Sequence, residues 1–74
     1  MEEIFKNVYI DDRFDIVTEE YRVYGDGKII ALVSYGGHVI YNCEEAKICP
    51  HVQKKIANFI EENDLINKNY EYDY

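Results

Sequence analysis

His38, Cys43, Cys49 and His51 are the only histidines and cysteines in the chain, and they fall within fourteen residues of one another. Imidazole and thiolate are the ligand types that zinc takes. The spacing holds neither a Cys-x2-Cys knuckle nor a His-x3-His helical pair, and His38 is expected on a sheet face turned away from the helix. A metal-binding regulator is therefore the third of three readings, and no metal or other cofactor is expected. Two cysteines do not make a disulfide framework and read as reduced thiols. Neither reads as a nucleophile beside His51, because an activated thiolate needs an electropositive setting and Glu44 and Glu45 flank them instead. Gly25-Asp26-Gly27-Lys28 lacks the spacing of a phosphate loop, and a turn accounts for Asp26. With little core from which to carve a pocket, the expectation is a protein that is not an enzyme.

Charge is the stronger signal. Fifteen acidic and eight basic side chains leave a net charge of -7 over 74 residues. Such a balance repels phosphate and anionic lipid, so neither direct nucleic-acid binding nor membrane binding is expected. No apolar run approaches the length of a membrane span, and Met1-Glu2-Glu3 lacks the positive start of a signal peptide. A cytoplasmic protein in a bacterial host is expected. The carboxylates come in groups: Asp11 and Asp12 with Asp15, Glu19-Glu20, Glu44-Glu45, and Glu61-Glu62 with Asp64.

The elements that must carry these groups follow from turns and periodicity. Asp26-Gly27 and Gly36-Gly37 both tolerate the positive φ of tight hairpin turns. They divide three strands, about 20–24, 28–35 and 38–42. Two-residue turns at both places set Tyr24 opposite Ile29, Val23 opposite Ile30, Tyr21 opposite Leu32, Ser34 opposite Val39 and Leu32 opposite Tyr41. Alternation then places Tyr21, Val23, Ile30, Leu32, Val39 and Tyr41 on one face. The other face takes Ile29, Ala31, Val33, Tyr35 and Ile40 beside Glu20, Arg22, His38 and Asn42.

Pro50 suits a first helical position, and Val52, Ile56, Phe59 and Ile60 form one stripe. A helix from Pro50 to about Asn63 is predicted, with Lys54, Lys55, Asn58, Glu61 and Glu62 toward water. Asn42 and Glu45 resemble a capping box for a short helical turn before Pro50. This helix is charged against its own dipole: Lys47, His51, Lys54 and Lys55 crowd its N-terminal side, and Glu61, Glu62 and Asp64 its C-terminal end.

The fold class is thus α+β: a three-stranded antiparallel β-meander packed against one C-terminal α-helix, in one domain spanning 1–74. Residues 1–19 fit a short helix or an irregular strand equally, with a bulge or turn near Thr18-Glu19-Glu20 where the apolar parity slips. The tail, 69–74, alternates tyrosine with acid and reads as a flexible extension or a contact surface. Ile29, Val33, Tyr35 and Ile40 form a candidate apolar interface that the N-terminal segment covers, or that a homodimer or another protein closes.

Small size, negative charge, eight tyrosines and no catalytic constellation resemble the small phage-encoded inhibitors, anti-CRISPR proteins and other DNA mimics among them. The resemblance covers the whole chain as composition. It implies an inhibitor whose carboxylates stand in for phosphates in the channel of a basic nucleic-acid-binding protein. Asp11, Asp12, Asp15, Glu19, Glu20, Glu61, Glu62 and Asp64 would then be the phosphate surrogates. An apolar adaptor or self-associating module is the second reading.

Overall fold

The computed structural model describes residues 5–68, and the 69–74 tail lies outside them. Four strands form one antiparallel sheet in the order β1 (Val8–Ile10), β2 (Glu20–Gly25), β3 (Lys28–Ser34) and β4 (His38–Tyr41). A short helix, α1 (Glu44–Lys47), leads into the main helix, α2 (Pro50–Glu62), and a 3-10 turn (Leu65–Asn67) follows. The small α+β architecture with one main helix is as expected. The sheet, however, has a fourth strand, made by the N-terminal segment whose pattern fitted helix and strand equally.

Asp26 draws that segment into the sheet. Its carboxylate accepts the main-chain N–H of Asn7 at 2.8 Å and of Lys6 at 3.0 Å, and its own N–H donates to the Asn7 carbonyl at 2.8 Å. Beyond the tie, Val8 pairs with Gly25, Tyr9 with Tyr24 and Ile10 with Val23. A Cβ on Gly25 would sit 2.8 Å from Ile30 Cδ1 and 2.9 Å from Phe5 Cδ1, so both side chains would have to shift to admit one. The expected turn after Thr18 is present: Asp15 and Glu20 bridge across it, and Glu19 takes a left-handed φ of 64°.

The register departs from expectation at two places that nearly cancel. Asp26 and Gly27 form the expected two-residue turn, both with positive φ, and Tyr24 lies opposite Ile29. Val23 then pairs with Ala31 rather than Ile30, because Ile30 is an extra, bulged residue in β3. The second turn is one residue longer than expected. Ser34 pairs with His38, so Tyr35-Gly36-Gly37 make the loop, with φ of +88° and +77° at the glycines. One shift displaces β3 against β2 and the other displaces β4 against β3, so only β3 is turned over.

Consequently Ala31 and Val33, expected outside, are fully buried with Tyr21 and Val23. Leu32, expected inside, is half-buried on the outer face, opposite Arg22 and Ile40. Ile30 remains buried because the bulge turns it inward. The core closes with Val52 and Ile56 of α2, Ala46 of α1, Cys49, Val8 and Leu65, while Phe59 and Ile60 pack at its margin. Tyr21 gathers an aromatic cluster there, with Phe14 and Phe59 edge-on at 5.0 Å and Tyr35 stacked on Phe14 at 4.4 Å. Burial raises the pKa of the Tyr21 hydroxyl above the ordinary phenol value.

The capping box does not form. Cys43 is the N-cap residue of α1 with no side-chain hydrogen bond, and the Asn42 amide instead donates to the Ile29 carbonyl at 3.3 Å.

Truncating Ile56 or Leu65 to Ala should each cost about 2–5 kcal/mol, enough to unfold much of so small a domain. Leu32→Ala should cost clearly less, since its side chain lies on the outer face, partly in water and outside the core cluster. Denaturant titration of the three variants checks this, and equal costs for Leu32→Ala and Ile56→Ala would refute the bulged register.

Candidate functional site

The acidic groups divide according to what already neutralises them. At the far end of the β1–β2 hairpin, Asp11 accepts the main-chain N–H of Arg13 at 3.0 Å and its guanidinium through Nε at 3.2 Å and Nη2 at 3.1 Å. The Arg13 side chain thereby holds the Asp11 carboxyl below its ordinary pKa. Asp15 folds its own turn: Oδ1 accepts the N–H of Val17 at 2.9 Å and of Thr18 at 3.2 Å, and Oδ2 accepts Arg22 Nη2 at 2.6 Å. Hydrogen bonds from Thr18 and then Val17 lower its pKa, with Arg22 adding to the effect. Asp12 beside them is exposed; Glu19 and Glu20, one in the turn and one opening β2, are half-buried. Asp11 and Asp15 thus already have cations and structural tasks.

The C-terminal end of α2 is the opposite case. The helix has no basic residue in its last turn, where the macrodipole is negative. Glu61 and Glu62 are exposed there, and Asp64 follows in a left-handed conformation with φ 52°. Among the described residues none of the three carboxylates forms an ion pair; the Asp64 carboxylate accepts one hydrogen bond, from the Asn67 side-chain amide at 2.7 Å. The end is closed by neutral groups, since Asn63 donates both its main-chain N–H, at 3.1 Å, and its side-chain amide, at 2.9 Å, to the Phe59 carbonyl.

Glu61 and Glu62 point to different flanks of the helix. Glu61 and Asp64 border a groove of about 530 Å³ whose other walls are Gly37, Ala57, Ile60, Ile66 and Asn67. Glu62 borders a second groove with Tyr9, Ile10, Lys55, Asn58 and Phe59. Asp11 and Asp12 line a third depression that shares Tyr9 and Ile10 with the second. The eight expected phosphate surrogates are therefore several groups on different parts of the surface, and only the set at the end of α2 combines exposure with the lack of an ion pair throughout.

The candidate apolar interface is divided by the turned-over strand. Val33 lies in the core and Tyr35 belongs to the aromatic cluster, so neither joins Ile29 and Ile40 on the outer face. That face instead carries Tyr9, stacked on Tyr24 at 5.0 Å, with Ile29, Leu32 and Ile40. Among the described residues of the N-terminal segment, Val8–Ile10 joins the sheet as its edge strand β1. Tyr9 and Ile66 were the residues that sequence reasoning missed. Leu65-Ile66 directly after Asn63-Asp64 was the available signal, because an apolar residue just past a left-handed helix stop commonly returns to the helix.

Among the described residues no three His, Cys, Asp or Glu side chains converge in a manner that could hold a metal ion. Cys49 is buried, Cys43 half-buried and His38 exposed at the far end of β4. No helix among the described residues is long and apolar enough to cross a membrane. The chain finds no match among protein-family models, curated proteins or solved structures.

The Asp15 turn has a pH signature. Its folded pKa lies below the unfolded value of about 3.9, so its contribution is complete above that pH and is lost as pH falls through the lower folded value. In an NMR titration the Val17 and Thr18 amides should hold their shifts down to about pH 3.9 and move only below it. Movement centred at or above that value would remove the carboxylate from its assigned task.

Proposed function

We propose that the chain is a non-enzymatic binding protein that presents carboxylates to a basic, nucleic-acid-binding partner, in the manner of the phage-encoded inhibitors it resembles. One observation carries the reading: Glu61, Glu62 and Asp64 gather at the negative end of α2, with no basic residue in its last turn and no ion pair among the described residues. Each such charge opposes the helix by about 0.3–1 kcal/mol at low salt. Charge arranged against the fold is charge available to a partner. Asp12 is a further exposed carboxylate on a different part of the surface, whereas Asp11 and Asp15 contribute chiefly by holding the hairpin.

A second reading, an apolar adaptor or a homodimer, is favoured by the outer sheet face, where Tyr9, Ile29 and Ile40 are 54%, 40% and 61% exposed. The two readings respond oppositely to salt: attraction between opposite charges weakens as salt screens it, and apolar contact does not.

The test uses the triple variant E61Q/E62Q/D64N, which keeps size and leaves Asn at the left-handed position. Amides at Asp11 and Asp15 are less informative, because they also loosen the turn. Against a basic partner captured from host extract and then purified, the triple variant should bind more weakly and melt at higher temperature than the parent. DNA or RNA should compete with the parent for the same partner. Binding that is indifferent to salt, to competing nucleic acid and to the triple substitution would return the carboxylates to a solubility role and transfer the function to the sheet face.

A further inference from the structure

We infer that the groove between α2 and the β3–β4 turn receives a lysine- or arginine-bearing peptide segment, with aliphatic residues on its floor and the cationic head at Glu61 and Asp64. The inference rests on the acidic reading above and assigns the partner's chemistry at this place.

The groove holds about 530 Å³, within the range of ligand-sized sites and ample for a short stretch of chain. Its composition is divided. Ile60, Ile66 and Ala57 supply aliphatic surface, and Gly37 supplies bare backbone between them. A Cβ on Gly37 would lie 3.2 Å from Ile66 Cγ1 and 3.6 Å from Ile60 Cγ2, so the turn and both isoleucines are in close register. Ile66 is nonetheless 68% exposed, an aliphatic side chain held in water directly beside the core. The charged border is of one sign, Glu61 and Asp64, and it stands at the negative end of the helix.

Aliphatic floor and anionic border together match one kind of side chain. Lysine and arginine lay their methylene stems along apolar surface and keep the charged head outside it. A wholly apolar segment would strand the two carboxylates against uncharged groups. A wholly polar cation would leave Ile66 wet. A second copy of this chain carries a net charge of -7 to the same border, which disfavours it as occupant.

The structure also shows what fixes the groove. The Gly36 N–H donates to the Leu65 carbonyl at 2.7 Å, and Leu65 is fully buried. The turn and the segment after α2 are therefore tied together, and both walls are formed before any ligand arrives. Such pre-formed sites lose little affinity to ordering.

The probes are two blocked hexapeptides of equal charge, serine alternating with lysine and serine alternating with 2,4-diaminobutyrate, whose stem is two methylenes shorter, titrated into labelled protein and followed by amide shifts. The lysine peptide should move Gly37, Ala57 and Ile66 and bind about tenfold more tightly than the short-stem peptide. Ile66→Ser and Ala57→Gln, both at exposed positions, should each remove most of that difference without changing the melting temperature. Equal binding of the two peptides would overturn the groove and leave the acidic reading standing. Shifts centred on Tyr24 and Ile40 would overturn it in favour of the sheet face. Binding of neither peptide at low salt would overturn both the groove and the acidic reading. Concentration-dependent shifts of the same three amides without peptide would make a second copy the occupant and overturn the peptide assignment.

Discussion

One inserted residue, Ile30, decides which side of the central strand meets the helix. It lies between the pairs Tyr24–Ile29 and Val23–Ala31, and it sends Ala31 and Val33 beneath α2 while Leu32 turns out. Asn42 secures the bulge from the β4 side, through its N–H to the Ile30 carbonyl at 2.8 Å and its amide to the Ile29 carbonyl at 3.3 Å. The three-residue turn Tyr35-Gly36-Gly37 then restores the alternation of β4, so that Val39 and Tyr41 again face inward. That turn grips the Leu65 carbonyl and so positions the chain beyond α2, with Glu61 and Asp64 on the border of the groove. Bulge, turn and groove are one chain of dependence.

Local chemistry was legible where a single residue type determines conformation. Asp26-Gly27 read correctly as a two-residue turn, and Pro50 with the Val52, Ile56, Phe59 and Ile60 stripe placed α2 to within a residue. The register was not legible, because a one-residue bulge has no composition of its own and β3 is apolar on both sides. Either orientation of Ile29-Ile30-Ala31-Leu32-Val33 buries aliphatic side chains, so period-two reasoning had nothing to choose between. The N-terminal strand was ambiguous for a related reason. Val8–Ile10 is three residues long, and it is held by a long-range contact, the Asp26 carboxylate on the Lys6 and Asn7 amides, which spacing does not reveal.

The acidic clusters show the same limit from the side of function. Counting carboxylates treats Asp11, Asp15 and Glu61 alike, yet their surroundings separate them. Asp11 and Asp15 sit below their ordinary pKa because arginines and main-chain N–H groups complete them, and removing them would cost the fold. Glu61, Glu62 and Asp64 have no such completion among the described residues and stand where the helix itself is negative. Clusters of equal charge in the sequence therefore differ in what they have left to offer a partner.

The carboxylates at the end of α2 oppose the free fold, and thermal melting as a function of salt measures that opposition. Between about 0.01 M and 0.15 M sodium chloride the screening length falls from about 30 Å to about 8 Å. The parent's melting temperature should rise across that range, and the rise should shrink clearly in E61Q/E62Q/D64N. A parent whose melting temperature is flat or falls with salt, or a variant that rises as much as the parent, would mean that these carboxylates do not oppose the fold.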